Sequence, residues 1–298
     1  MREMLGPLVW AIRGFYLLSG IAILTVRSTP SLRDRFLAYG ARDHASDDAR
    51  TRDTKKPPLG IQLLDFVASL KVPHSWFTHF YVVSVVSSLC CMYTFGDRRT
   101  EAVLEIPSFC SALMLLQGCR RLLECVVLTR PGQSRMWIGH YAIGFAFYVV
   151  TNIAIWAEHL GSANTTLHGH EGYWQSLWAP RVLTCTLLFV YASYKQHSYH
   201  GYLARLKKYT LPDVEAFRSI VAPHYTAECG IYLALAVLGA PQGHGRTSFV
   251  NWTLFCALIF VAVNLGVTAD GTRSWMMDKF PERKEDIRRR WRMIPGLW

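Results

Sequence analysis

The chain has 298 residues, is 51% hydrophobic and carries a formal net charge of +11; that composition alone fits a soluble core as well as a membrane domain. The arrangement is more selective, because apolar residues gather into long runs with charge between them, which excludes an ordinary soluble or disordered chain. The basic excess sits beside those runs with no zinc-finger, RNA-recognition or helix-turn-helix signature, so anionic lipid or an anionic cofactor is the expected partner and nucleic acid is not.

In chain order the apolar runs are 6–26, 76–95, 102–128, 136–160, 177–194, 219–240 and 249–269. Each is long enough, or nearly so, to cross a hydrocarbon core of about 30 Å as a helix. They predict an all-α, polytopic membrane protein of about seven transmembrane helices. The first run is too long for a secretory signal, and Arg27 with the basic stretch behind it suits an anchor. Residues 28–58 are polar and end in Pro57-Pro58, as a loop between spans would be. No repeat and no linker divides the rest, so the expected units are an N-terminal helix with its polar loop over 1–71 and one membrane domain over 72–298.

With a lumenal N-terminus and seven crossings, the cytosolic segments are 27–73, 129–135, 195–218 and 270–298. They hold 24 of the 32 Lys and Arg, against 4 in the lumenal segments, as the positive-inside rule requires. The sequon Asn164-Thr165-Thr166 falls in a lumenal loop of that topology. None of the eight cysteines forms a C-x-x-C pair and most lie in apolar runs, so they are expected as buried small hydrophobes, with neither metal nor disulfide. Gly243-His244-Gly245 lies between two spans rather than after a strand, so no Rossmann fingerprint is present.

Ionisable groups at membrane depth are costly and usually face a cavity or a partner. In the third run Gln117, Arg120, Arg121 and Glu124 cluster; Arg120 and Glu124 are four apart and can pair, either to lock two helices or to line an anion-binding wall. In the sixth run His224 and Glu228 are likewise four apart, behind Pro223 and beside Tyr225. After the fifth come Gln196 and His200 on one face, followed by Arg205, Lys207 and Lys208, which a plain solvated helix end would also explain. Trp76-Phe77-Thr78-His79-Phe80-Tyr81 opens the second run; an aromatic belt accounts for all of it except His79. These groups lie on four helices towards the predicted cytosolic side, where they suit a phosphate-rich ligand beside an apolar one.

At that point a resemblance enters. Val72-Pro73-His74-Ser75-Trp76-Phe77-Thr78-His79-Phe80-Tyr81-Val82-Val83-Ser84 resembles the polyprenal-reducing branch of the steroid 5α-reductase family, as does Arg120-Arg121-Leu122-Leu123-Glu124-Cys125. So do His200 to Leu206, Tyr209-Thr210-Leu211-Pro212, Ala222-Pro223-His224-Tyr225-Thr226-Ala227-Glu228, Asn264 and Lys279-Phe280-Pro281. The resemblance spans about residues 72 to 298 and rests on order and spacing rather than on one motif. It implies a seven-helix, multi-pass protein of the endoplasmic reticulum membrane with a cytosolic C-terminus, a monomer, which binds NADPH in the C-terminal half of the bundle. Carried over by position, the cofactor contacts would be Arg121, Arg130, Gln196, His200, Lys207, Tyr209, His224 and Glu228, with Arg121, His200 and Lys207 on the phosphates.

Two departures qualify it. Steroid-reducing members carry a Gln-Glu pair in the second helix, where this chain has Gln62 before Leu63. Many members have Thr-His-x-x-Tyr before the last basic stretch, where this chain has Thr272-Arg273-Ser274-Trp275-Met276. The implied reaction is NADPH-dependent reduction of the α-isoprene double bond of polyprenal in dolichol biosynthesis, which supports protein N-glycosylation. His79 and Tyr81 are the expected donors to the aldehyde oxygen; two residues apart they do not share a helical face, and His79 is favoured. The alternatives are reduction of a 3-oxo-Δ4 steroid or an enoyl lipid, an isoprenylcysteine-type methyltransferase, and a non-enzymatic lipid-binding membrane protein.

Overall fold

In the computed structural model, the described residues are 2–37, 58–96, 106–128, 132, 134–162, 179–207, 209–241 and 248–297. Arg130, the sequon at 164–166 and the Gly243–Gly245 stretch lie outside them. Each of the seven apolar runs forms one long helix: α1 (Arg2–Ser28), α4 (Phe77–Phe95), α5 (Ile106–Leu128), α6 (Ile138–Ser162), α7 (Pro180–Arg205), α8 (Pro223–Leu238) and α9 (Trp252–Lys279). Short helices α2 (Pro30–Phe36), α3 (Leu59–Ser69) and α10 (Lys284–Arg289) lie between or after them, and β1 (Lys71–Pro73) pairs antiparallel with β2 (Arg135–Trp137).

The helix boundaries follow local chemistry. Pro30, Pro180 and Pro223 each occupy a first helical position, where a missing N–H costs nothing. Asn251 caps α9 by accepting a hydrogen bond from the Leu254 amide at 3.0 Å. Where α4 and α5 cross, Gly118 allows the close approach: a Cβ there would meet the Ser84 side chain at 3.0 Å and Val85 at 3.2 Å.

Four helical segments are long and apolar enough to cross a membrane: Leu5–Ser28, His74–Phe95, Ile138–Leu160 and Trp252–Lys279. The expected seven are therefore met in part, for reasons visible in the other three helices. α5 carries Arg120, Arg121 and Glu124, and α7 carries Arg181, Lys195 and Arg205. α8 has 16 residues, roughly 24 Å at 1.5 Å per residue, short of the hydrocarbon thickness. Large apolar side chains such as Trp10, Leu18, Val126, Val127 and Leu187 are exposed on the outer surface, which is stable against lipid and not against water.

The long helices pack as a closed ring. Going round it, α1 contacts α9, α9 contacts α8, α8 contacts α7, α7 contacts α5, α5 contacts α4, α4 contacts α6, and α6 returns to α1. At the end where α1 begins, Arg13 ties the ring across three staves: it donates to Glu158 of α6 at 2.8 Å and to Thr253 of α9 at 3.1 Å, while Glu158 also accepts from the Thr253 amide and hydroxyl. At the other end the C-terminal segment is strapped across the start of α8. Ile220 and Trp291 form a parallel bridge, and the Thr226 hydroxyl donates to the Met293 carbonyl at 2.6 Å. Buried Arg290 donates to the carbonyls of Pro212 and Phe217 and pairs with Asp286.

Candidate functional site

The ring encloses a cavity of about 860 Å³ to which all seven long helices contribute. Its mouth is set by helix ends. Arg27 near the end of α1, His74 before α4, His140 early in α6, His224 at the start of α8, and Asp270 and Ser274 late in α9 all line it. These positions share one end of the bundle, the one the charge distribution assigns to the cytosol. Arg33, Asp34 and Leu37 of the α2 region also reach the lining. Towards the interior the wall becomes aromatic and apolar, with Ile143, Phe147, Tyr148, Tyr232, Phe260 and Val261. Gly144 belongs to that wall because α6 passes close to Phe80; a Cβ at 144 would lie 2.7 Å from its ring.

One side of the cavity is a dense polar network built on α5. Glu124 is buried and is the common acceptor for four groups. Arg120 and Arg121 both pair with it, and the Nδ1 atoms of His197 and His200 lie 2.8 Å from its two oxygens. Burying one carboxylate among two guanidinium groups is tolerable only because the charges offset one another and every oxygen is hydrogen-bonded. Arg120 also reaches Gln117 at 2.8 Å, and Gln196, which in turn donates to Glu228. Arg121 donates through Nε at 3.1 Å and through Nη2 at 2.7 Å to the hydroxyl of Tyr81, and its guanidinium lies 4.8 Å from that ring's centroid. The Nδ1 of His200 is also 2.6 Å from Nη1 of Arg121. That nitrogen serves one neighbour at a time, donating to Glu124 or accepting from Arg121.

Six of the residues singled out in the sequence converge here: Tyr81, Arg121, Gln196, His200, His224 and Glu228 all line the cavity. The pairing of Arg120 with Glu124 is present, with Arg121 added to it. His224 and Glu228 share a face but have no hydrogen bond with each other: Glu228 accepts from Gln196, and Nδ1 of His224 is buried with no hydrogen-bond partner among the described residues. Three other candidates stand elsewhere. His79 is on the outer face of α4, exposed, with Nδ1 3.1 Å from the Tyr141 hydroxyl. Lys207 is exposed and outside the cavity lining. Tyr209 is 55% exposed, has a positive φ of 61°, and stacks under the Lys279 ammonium at 4.2 Å.

The cavity also contains residues the sequence reading passed over. Tyr148 lies inside an apolar run with nothing to mark it. Tyr232 carried a usable signal, since it follows Glu228 by four residues and His224 by eight and so shares their helical face. Among the described residues no cluster of His, Cys, Asp and Glu could hold a metal ion, and the eight cysteines are free thiols.

Comparison with known proteins agrees with this architecture. Residues 140–298 match the family described as 3-oxo-5-alpha-steroid 4-dehydrogenase. Over 281 residues the chain is 25% identical to the polyprenal reductase of Saccharomyces cerevisiae, covering 92% of each chain. It is 25% identical to the polyprenal reductase of Caenorhabditis elegans, over 72% of this chain and 77% of the relative. It is also 25% identical to polyprenal reductase 2 of Oryza sativa subsp. japonica, over 76% and 80%. With more than half of its length matched, and with several apolar helices ringed about one polar-walled cavity, the chain belongs to the 3-oxo-5-alpha-steroid 4-dehydrogenase family of membrane-bound oxidoreductases.

Proposed function

We propose that the chain reduces the α-isoprene double bond of polyprenal with NADPH, giving dolichal for dolichol biosynthesis. The observation that carries this reading is the cavity itself. It has a polar wall of buried Gln196 and half-buried Arg121, His200, His224 and Glu228 facing an apolar wall of Phe147, Phe260 and Val261, alongside resemblance to polyprenal reductases along nearly the whole chain. Its volume is within the range of cofactor sites, roughly 300–1,000 Å³. Cationic Arg27 and Arg33 at the mouth suit phosphates, and the unpartnered Nδ1 of His224 beside Glu228 suits the amide and hydroxyl groups of a nicotinamide riboside. When bound, the nicotinamide supplies the hydride.

The residues of the chain then have a definite task. An isolated alkene resists hydride because its carbanion has nowhere to place charge. An alkene conjugated to an aldehyde accepts it at the β-carbon, because the alkene's electron pair forms a new double bond to the carbonyl carbon and the carbonyl's pair moves onto oxygen as an enolate; a proton taken up at the α-carbon, with the carbonyl re-formed, completes the reduction. A hydrogen-bond donor aimed at that oxygen in a dry site lowers the barrier. Tyr81 meets the requirement. Its oxygen accepts from Arg121, so its own O–H is directed away from the guanidinium and is available to a ligand in the cavity. We assign the donor role to Tyr81 rather than to His79, whose ring is exposed on the outside of α4. Gln196, His200, His224 and Glu228 are assigned to cofactor contact, with Lys207 and Tyr209 not required by the cavity wall.

For the setting, the resemblance supports an endoplasmic reticulum membrane, the charge distribution supports a cytosolic cavity mouth and C-terminus, and the protein is taken to act as a monomer. The deciding experiment incubates the purified protein with NADPH and a panel of polyprenal, polyprenol, an enone steroid and an enoyl thioester, and reads products by mass. Saturation of the α-isoprene in polyprenal alone supports the assignment. Reduction of the steroid or the thioester instead, or no reduction, sinks it.

A further inference from the structure

The deep end of the cavity holds a polar group that neither the network on α5 nor the cofactor contacts use. Tyr232 is 1% exposed, its hydroxyl has no hydrogen-bond partner among the described residues, and it lines the cavity. A buried phenol without a partner forfeits about 1–3 kcal/mol of desolvation, while phenylalanine would fill the same space at no such cost. A group of this kind is expected where a ligand completes it.

Its position says which ligand. His224, Glu228 and Tyr232 stand at i, i+4 and i+8 on α8, so each is about 6 Å further from the mouth than the last. A dinucleotide entering at the mouth meets His224 and Glu228 first, and Tyr232 lies one turn beyond them. Around Tyr232 the wall is aromatic: Phe147 packs edge-on against it at 5.6 Å between centroids and Tyr148 packs on Phe147 at 5.3 Å. Tyr148 in turn contacts the Tyr81 ring at 5.5 Å. Phosphates and ribose have no place in such a wall, whereas a long apolar molecule with one oxygen does.

We infer that Tyr232 is a second hydrogen-bond donor to the oxygen of the lipid substrate, acting with Tyr81 from the opposite side of the cavity. This rests on the reading of the chain as an enal reductase. Two donors on one oxygen match the two lone pairs of a carbonyl that becomes an enolate, and both act where no water competes. The second phenol also confers selectivity: a hydrocarbon of the same length leaves Tyr232 unsatisfied.

The test compares wild type, Tyr232→Phe and Tyr81→Phe with a C20 isoprenoid enal and the C20 hydrocarbon of the same skeleton. Turnover with NADPH and thermal stability with each lipid alone are both measured. Expected for Tyr232→Phe is a fall in kcat of about tenfold or more, an apparent KM for NADPH within about twofold of wild type, and unchanged or raised stability without ligand. The extra stabilisation that wild type gains from the enal over the hydrocarbon should shrink in the same variant. Wild-type turnover together with an undiminished enal-specific stabilisation in Tyr232→Phe overturns the inference and leaves the reductase reading intact. A wild type that neither reduces the enal nor is stabilised by it overturns both.

Discussion

Arg121 and Tyr81 are joined by two hydrogen bonds to a single oxygen: Nε and Nη2 of the guanidinium approach the phenol hydroxyl at 3.1 and 2.7 Å. Two donors on one hydroxyl fill its acceptor capacity and leave its proton as the one thing it can still offer. A fork-shaped cation fixes the phenol's direction, which an ammonium on a flexible stem would not. Tyr81→Phe is therefore expected to lower kcat for enal reduction by about 10²-fold or more, and Arg121→Lys by about tenfold. His79→Ala should remain within about twofold of wild type. Steady-state kinetics on the purified variants separates the two neighbours, and a His79→Ala collapse with an active Tyr81→Phe would reverse the assignment.

Glu124 holds more charge together than any single surface pair. Glu124→Gln leaves the half-buried Arg120 and Arg121 without their shared carboxylate, a loss of about 3 kcal/mol. In a chain of this size that lowers the melting temperature by on the order of 10 °C, readable as loss of the monodisperse peak after heating in detergent. A shift of under about 2 °C would mean the network is solvated in the working protein.

Cofactor affinity should follow cavity placement. Glu228→Gln and His224→Ala are expected to raise the apparent KM for NADPH by about tenfold, because each alters a polar group of the cavity wall. Lys207→Ala and Tyr209→Phe, on exposed side chains outside the lining, should leave it within about twofold. The opposite ranking would place the nucleotide along the outer basic surface instead.

The C-terminal strap offers a pH-sensitive readout. The carboxyl of Asp286 is held below the usual carboxylate range by hydrogen bonds from Arg283 and Arg290. Since its pKa is lower in the folded state, the stability it contributes is present above the usual carboxylate range and is lost as pH falls through the folded value. Asp286→Asn should therefore melt lower than wild type at neutral pH and converge with it in acid. Arg290→Ala should cost about 2–4 kcal/mol at neutral pH and keep most of that cost in acid, because two buried carbonyls lose a charged donor while only the Asp286 share depends on pH.

The helical plan was legible because each crossing writes an apolar run, and every long helix falls on one of those runs. What periodicity could not supply was which runs would be short or charged enough to need the bundle around them, as α5, α7 and α8 do. Arg120, Arg121 and Glu124 announced themselves by charge in an apolar setting, and Gln196 and His200 by their shared face. His79 misled because an imidazole among aromatics looks purposeful whichever way it points; two residues, roughly 200° round the helix, put it outside while Tyr81 faced in. Tyr148 stayed hidden because tyrosine is unremarkable in a membrane run and only its place in the cavity wall sets it apart, whereas Tyr232 could have been found from its spacing behind His224 and Glu228. Tyr209 entered by positional analogy alone and Lys207 by that analogy and its basic neighbours; both lie beyond the last turn of α7, where backbone direction changes and analogy carries least geometry.

The closed ring bears on what the family match means. Of the seven staves, α6 to α9 fall almost wholly within residues 140–298, while Tyr81 and Arg121 stand on two of the other three. The matched half by itself is a trough, sealed on one flank by nothing but bilayer. Substitutions on α1, α4 and α5 therefore reshape the flank of the cavity that the match over residues 140–298 leaves out, the flank on which Tyr81 and Arg121 stand.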